Sequence, residues 1–351
     1  MVSSIPIENI YYLLSYAWNK LDEAERKKIS RSSYTQPLDL LARIYISAGQ
    51  NLLKKGIEKH YRTIEEEYAG LKGKIDFCQS LKMNLFHKGR AHCAFDEFSE
   101  NIPSNQLVKA IFRRLLQTKD LNVSLKQEAK ACFQRMGAID NITITKDLFQ
   151  SIRIHQNNNS YGLILQIGKL IFEQTAIEQS TGKYLFKDFS RDHRKMASLF
   201  EAFAKNFYEK EQKEFKVTRE DIKWNIDEEL STGNRSLLPK MQTDISLTSK
   251  SRKIIIDTKF YPQALVSRYD KEKLHSAHLY QLYSYLRNLE ESEKSVDPTP
   301  NTTCEGILLY PDNGKELNEQ YTMGKHKIRI ATINLDTKWL KIHERLLNLI
   351  K

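Results

Sequence analysis

The stretch Met241-Gln-Thr-Asp244-Ile-Ser-Leu-Thr-Ser-Lys-Ser-Arg-Lys-Ile-Ile-Ile-Asp257-Thr-Lys259 decides the reading of the C-terminal half. Ile245 and Leu247 alternate with Asp244 and Ser246, the period of a half-buried strand. Ile254, Ile255 and Ile256 follow one another without a break, as in a strand buried on both faces. Ser249 to Arg252 is polar and supplies a turn, so the segment reads as a hairpin. A loop centred between Lys250 and Ser251 makes paired residue numbers sum to 501. That register sets Asp244 opposite Asp257, with Cβ atoms ~4.5–5.5 Å apart. Lys259, two residues further on, points to the same face as Asp257.

Two carboxylates so placed repel each other, and one lysine cannot neutralise both. A hard divalent cation can, because Mg²⁺ takes one or two carboxylates together with water and phosphate oxygens. Asp244 and Asp257 are therefore the candidate ligands, with the carbonyl of Thr258 as a further oxygen. Such an ion polarises a phosphate and lowers the pKa of a bound water, while Lys259 orients that water and stabilises developing charge. A strand Asp more commonly faces solvent or caps a turn, and a D-x-K triplet recurs by chance. The upstream Asp at opposed spacing beside an isoleucine run separates this segment from that background. On the following helix, His278, Gln281 and Tyr285 form one polar stripe beside Leu274, Leu282, Leu286 and Leu289. Glu201 lies in a helix whose apolar stripe is Met196, Leu199, Phe200, Phe203 and Phe207. It falls off that stripe, so periodicity makes it a solvated residue.

Working outward, the chain has 351 residues, room for about two domains. It is 40% hydrophobic and 28% charged with 13 Gly and 8 Pro, which excludes collagenous and fully disordered classes. Its net charge of +11 points to a polyanionic partner, nucleic acid before membrane. No apolar run reaches the length of a bilayer span, and the start carries Glu8 and no basic leader, so a cytoplasmic protein is expected. Cys78, Cys93, Cys132 and Cys304 form no C-x-x-C pair and read as reduced thiols; Cys78, His87, His92 and Cys93 match no zinc spacing. No G-x-x-x-x-G-K-[ST] motif occurs, so the chain has no P-loop of its own. Helical stripes run through Ile7, Ile10, Tyr11, Leu14 and Trp18, then Leu38 to Leu52, Asn105 to Gln117, beyond Ser124, and Tyr161 to Gln174. Tyr61 to Asn101 reads as strands and loops, and Ile142 to Ile154 as further strands. The polar stretch Thr175 to Asp192 marks a boundary, giving domains 1–180 and 181–351. Glu290 to Thr303 reads as a loop.

Glu201, Asp244, Asp257-Thr-Lys259 and Gln281-x-x-x-Tyr285 together resemble the PD-(D/E)xK nuclease signature in its RecB-like form, except that Thr243 stands where the signature loosely keeps Pro. The whole chain resembles the McrC family, the nuclease subunit of McrBC modification-dependent restriction systems. The likeness rests on the opening Ile5-Pro-Ile-Glu-Asn-Ile-Tyr-Tyr-Leu-Leu-Ser-Tyr-Ala-Trp18, on Gly70-Leu-Lys-Gly-Lys-Ile-Asp-Phe77, and on Leu237-Leu-Pro-Lys-Met-Gln-Thr-Asp244. It rests also on Lys273-Leu-His-Ser-Ala-His-Leu-Tyr-Gln281 and Leu308-Leu-Tyr-Pro311.

The resemblance implies an α+β N-terminal domain that docks on an AAA+ ring, followed by an α/β PD-(D/E)xK restriction-endonuclease-like core with a mixed central sheet. It promotes Glu201 to a catalytic residue and a further candidate metal ligand beside Asp244, Asp257, Lys259, Gln281 and Tyr285. It implies Mg²⁺, with Mn²⁺ able to substitute, and cleavage of double-stranded DNA near 5-methylcytosine. Cleavage is implied only in assembly with an McrB-like AAA+ GTPase hexamer, which binds the GTP, reads the base and is stimulated by this subunit. A second copy of the subunit is expected for the second strand, and 5′-phosphate products follow from in-line attack. Lys72, Lys74, Lys82, Lys88 and Arg90, in the mixed region, are the candidate ring-binding residues. The competing reading is a non-catalytic subunit that plugs an AAA+ ring and carries a vestigial nuclease fold.

Overall fold

The computed structural model describes residues 5–19, 36–152, 159–178, 180–227, 230–261, 265–268, 271–294, 303–312 and 316–351. Two compact units emerge, one of Met1–Pro37 with Asp188–Lys351 and the other of Leu38–Lys187. The expected boundary at 180/181 differs in two ways. The chain divides at 187/188, because Thr175–Ile177 and Tyr184–Phe186 pair as a small hairpin of the second unit. The opening helix groups with 188–351 rather than with the segment that follows it.

That helix, Ile7–Ala17, is enclosed on nearly every side from Asn9 to Tyr16, more than the single stripe expected. Asn9 Nδ2 donates to the carbonyls of Leu335 (2.7 Å) and Thr337 (2.8 Å). The ring of Tyr12 stacks on Trp339 at 4.1 Å, and Tyr16 packs against Phe203 and Phe207. Asn206 Nδ2 donates to the Tyr16 and Ala17 carbonyls, which a helix end otherwise leaves unsatisfied.

The first unit is built on a six-stranded mixed sheet in the order Asn318–Met323, His326–Ile333, Thr303–Pro311, Arg252–Thr258, Ile245–Thr248, Lys216–Thr218. Arg252–Thr258 and His326–Ile333 both run parallel to Thr303–Pro311, and the other pairings are antiparallel. The hairpin register runs from Lys253↔Thr248 to Ile256↔Ile245, so paired numbers sum to 501 as expected. Ser246 departs from the expected alternation. It is buried, and its hydroxyl lies 2.9 Å from that of Thr243.

The parallel connection from Thr258 to Thr303 carries the helix Ser276–Lys294, as such a crossover requires. The helix extends beyond the Glu290 at which a loop was expected to begin, and residues 295–302 of that loop lie outside the described residues. Leu282 and Leu286 pack with Ile255, Leu308, Tyr310, Ile328 and Ile330. Gly306 allows this approach. A Cβ there would lie 2.9 Å from Leu282 Cδ2 and 3.0 Å from Leu286 Cδ1. Gly306→Ala is expected to cost about 1–3 kcal/mol through overpacking, read as a lower urea midpoint; an unchanged midpoint would show that the helix does not depend on the glycine.

The second unit packs the helices Pro37–Lys55, Pro103–Gln117, Val123–Arg135 and Asn159–Gln174 around Tyr45, Phe112, Ile111 and Leu125. From it extends an antiparallel pair, His60–Ala69 with Arg90–Ser99, joined by Lys74–Ile75. The strands of this arm bury Ala91, Cys93 and Phe95, with Ile64 and Ile75 against them. Ile142 to Ile154 holds no strand among its described residues. Thr145 caps the helix Lys146–Ser151 by accepting from Leu148 N–H, and 153–158 lie outside the described residues.

Candidate active site

Asp257 stands at the C-terminal end of Arg252–Thr258, on the same alternate set of residues as Ile255, the side covered by the Ser276–Lys294 helix. It is 1% exposed. Its Oδ2 lies 2.7 Å from Lys259 Nζ, an ion contact, while no well-directed hydrogen bond reaches that oxygen. Lys259 Nζ donates to Gln281 Oε1 (3.0 Å), and Gln281 Nε2 donates to Tyr285 Oη (2.8 Å). The Gln281 and Tyr285 of the sequence motif thus sit one helical turn apart and anchor the lysine. The Lys259 backbone N–H donates to the Leu309 carbonyl (2.9 Å), which prolongs the parallel ladder to the site.

Asp244 immediately precedes the strand Ile245–Thr248, whose pairing with Arg252–Thr258 runs as far as Ile245↔Ile256. Its Oδ2 accepts from Thr258 N–H (2.8 Å) and from Thr258 Oγ1 (2.9 Å). Thr258 therefore enters through its N–H and hydroxyl, a role unassigned by the sequence; a hydroxyl between the two site residues was the available signal. Burial pushes the Asp257 carboxyl up to about 6; Lys259 opposes this, and the negative charges of Asp244 and Glu201 add to it. Burial also raises Glu201, with Asp244 adding and Arg219 and Lys259 opposing.

Glu201 is thus part of the site's electrostatics, although periodicity placed it in solvent. It sits off the buried Met196, Phe200, Phe203, Ala204 and Phe207 face of the helix His193–Glu211, half-covered, with Oε1 3.4 Å from Arg219 Nη2. His278 is turned away from the Gln281–Tyr285 pair. Its Nδ1 is 2.9 Å from Tyr310 Oη, and burial, then Lys259 and His275, lower its pKa to about 4.

The donor set suits a hard ion. Asp257 Oδ2 is an enclosed anionic oxygen whose charge Lys259 alone opposes at close range. Among the described residues no three His, Cys, Asp or Glu side chains converge on one point, so the site presents its two aspartates rather than a Cys or His cage. Two carboxylates are a number that Mg²⁺ accepts alongside water and phosphate oxygens. Glu201 contacts Arg219 and acts electrostatically with Asp244 and Asp257. Cys78 is exposed and Cys93 buried, and with His87 and His92 they form no such cluster either.

The five basic residues singled out by sequence all lie on the arm. Lys72 Nζ sits 3.7 Å from the centroid of the Phe95 ring, and Arg90 Nε is 2.7 Å from Glu67 Oε1. Lys74 lies on its short strand, Lys82 ends the helix Phe77–Lys82 and Lys88 ends the turn Phe86–Lys88. Beside them Leu71, Phe77, Leu81 and Met83 are exposed, a patch the sequence reading missed. Phe77 and Leu81, four residues apart on the helix Phe77–Lys82, were the available signal. Among the described residues no helix is long and apolar enough to cross a membrane.

Comparison with known proteins places this mixed-sheet chain among the components of a restriction system. The family model described as McrBC 5-methylcytosine restriction system component matches residues 8–311, and the chain belongs to that family. It is 29% identical over 345 residues to the Escherichia coli K12 type IV methyl-directed restriction enzyme EcoKMcrBC, across 98% of this chain and 97% of that one. A chain of the refined half-complex from the tetradecameric assembly of Thermococcus gammatolerans McrB AAA+ hexamers with bound McrC shares the fold. The TM-score is 0.61 at 14% identity, over 99% of this chain and 76% of the other. A chain of the cryo-EM structure of the T. gammatolerans McrBC complex overlaps less, with a TM-score of 0.45 over 58% of each chain at 14% identity. The resemblance read from the sequence is borne out at the level of the family.

Proposed function

We propose that this chain is the Mg²⁺-dependent endonuclease subunit of a 5-methylcytosine-directed restriction complex, with a PD-(D/E)xK core that cuts double-stranded DNA. It acts with an McrB-like AAA+ GTPase, whose GTP hydrolysis it stimulates, and with a second copy of itself for the second strand. The observation that carries this reading is an enclosed Asp257 paired to Lys259 at a strand end, with the Asp244 carboxylate bound to the Thr258 between them in sequence. Its support from relatives is the family match and the assembly of a structurally similar chain with AAA+ hexamers.

Asp244 and Asp257 would hold Mg²⁺, with the Thr258 carbonyl as a third oxygen. A bound Mg²⁺ supplies Lewis acidity at the scissile phosphate and acidifies a water. The chain's own residues do the rest. Thr258 fixes the direction of the Asp244 carboxylate through two hydrogen bonds. Tyr285 holds Gln281, and Gln281 holds the Lys259 ammonium, so a cation stands at a set place where negative charge grows on phosphate. Phe260, next to Lys259 in the chain, and Tyr310 are both buried. The arm, with its basic residues and exposed Leu71, Phe77, Leu81 and Met83, is the surface offered to the ring.

Asp244→Ala tests the assignment. It is expected to lower cleavage of methylated duplex by about 10²–10³-fold, as removal of a charge-stabilising group does, while GTP hydrolysis by the partner remains stimulated. Full cleavage by the variant overturns the site. Loss of GTPase stimulation overturns the division of roles between the two units.

A further inference from the structure

The strand Lys216–Thr218 leads into Arg219 and Glu220, and this short link is tied to the residue that precedes Asp244. Thr243 N–H donates to the Glu220 carbonyl (2.9 Å), and Glu220 N–H donates to Thr243 Oγ1 (2.9 Å). The Thr243 hydroxyl lies 2.9 Å from that of Ser246, and the whole side chain is buried. The Glu220 carboxylate is held from two sides, by Lys253 Nζ (2.8 Å) and Thr218 Oγ1 (3.1 Å). A proline at 243 would have neither the N–H nor the hydroxyl. The position at which this chain departs from the nuclease signature is therefore the one that clasps the link.

The clasp gives Arg219 a fixed root beside the acids. Its guanidinium reaches Glu201 at 3.4 Å and is 48% exposed. An exposed pair of that kind contributes about 0–1 kcal/mol, which does not account for so firmly held a base. Lys259 is engaged by Asp257 and Gln281, and it is 15% exposed against the 48% of Arg219. Asp244, Asp257 and Glu201 together would repel an approaching phosphodiester. A cation on the approach offsets that repulsion, and a planar guanidinium matches two phosphate oxygens at once.

We propose that Arg219 is a phosphate-binding residue of this site, set by the Thr243–Glu220 clasp and aimed by Glu201, and that it takes the DNA backbone beside the bond to be cut. The inference rests on the nuclease reading and adds to it the residue that seats the strand.

The test uses the full chain carrying Asp257→Asn, so that DNA is bound and not cut, with a fluorescent 20-base-pair duplex titrated across a range of salt. Adding Arg219→Ala is expected to weaken binding about tenfold and to reduce the slope of log affinity against log salt by about one, the mark of one lost phosphate contact. Arg219→Lys is expected to restore the slope and only part of the affinity, because the charge returns without the fork. Thr243→Val, which removes the hydroxyl of the clasp, is expected to weaken binding with the slope lowered by less than one. Unchanged affinity and slope in Arg219→Ala, in a protein whose melting midpoint matches its parent, would overturn the inference. No duplex binding by the Asp257→Asn parent, either alone or assembled with its AAA+ partner, would instead overturn the nuclease reading itself.

Discussion

Asp257→Asn is expected to abolish cleavage and, in the absence of metal, to make the protein more stable. The first effect is a loss of about 10²–10³-fold or more, since the carboxylate proposed to hold the ion becomes a neutral amide. The second follows from the sign of the shift. Burial pushes the carboxyl from its ordinary 3.8 up to about 6. Between those values the folded protein keeps a proton that the unfolded chain has released. Stability from this group therefore falls as pH rises from about 4 to about 6, and above about 6 the full penalty is present. Two pKa units correspond to about 3 kcal/mol.

Asparagine cannot ionise, so metal-free Asp257→Asn at pH 8 is expected to melt several degrees above its parent. The difference should shrink towards zero near pH 4, where both side chains are neutral. Saturating Mg²⁺ should also narrow it, because the ion stabilises only the parent. Differential scanning calorimetry at pH 4 and pH 8, with and without Mg²⁺, reads all three. A variant melting below its parent at pH 8 without metal would show that the carboxylate is not held at a cost. Cleavage by the parent is expected to rise with pH as this proton leaves, with the midpoint below about 6 once metal competes for the oxygen.

Trp339→Ala is expected to destabilise the unit of residues 1–37 and 188–351 by about 3–5 kcal/mol. Trp339 is 8% exposed and has Tyr12 stacked on its face at 4.1 Å. Tyr16, Phe203 and Phe207 crowd the same ring at 5.5, 5.8 and 6.4 Å. Its removal leaves a cavity where three helices meet: Ile7–Ala17, His193–Glu211 and Trp339–Leu349. Urea denaturation measures the loss, and hydrogen exchange in residues 7–17 should accelerate first, because Tyr12 has lost its stacking partner. Trp339→Phe should recover more than half of the loss. Unchanged exchange in the alanine variant would show that the opening helix is held by its other contacts, those of Asn9, Tyr16 and Asn206. Because Glu201 rides on the helix that carries Phe203 and Phe207, the same variant tests whether this aromatic cluster supports the site.

The hairpin was legible because two local signals agree: an uninterrupted Ile254–Ile256 run and a polar Ser249–Arg252 turn. Turn position and pleat then fix which residues oppose, and the pairs from Lys253↔Thr248 to Ile256↔Ile245 follow from counting. Gln281 and Tyr285 were legible for a similar reason, since residues four apart on a helix are neighbours. Other features carry no local signal. The edge strand Asn318–Met323 is almost wholly exposed and has no apolar period to betray it. Glu201 looks solvated on its own helix, and its raised pKa comes from burial and from Asp244, 43 residues away. Ser246 breaks the strand's alternation because its hydroxyl finds Thr243 inside the protein.

By itself, then, the sequence determined the hairpin, its register and the family. These depend on spacings of a few residues, which backbone geometry converts directly into proximity. Only the tertiary structure decided that the opening helix packs on Trp339, that Thr258 steers Asp244, and that Thr243 clasps the link bearing Arg219. Each of these joins segments far apart in the chain, or depends on which oxygen a side chain turns to. Such choices are settled by burial and by the need of every enclosed polar group for a partner, and no local pattern encodes them.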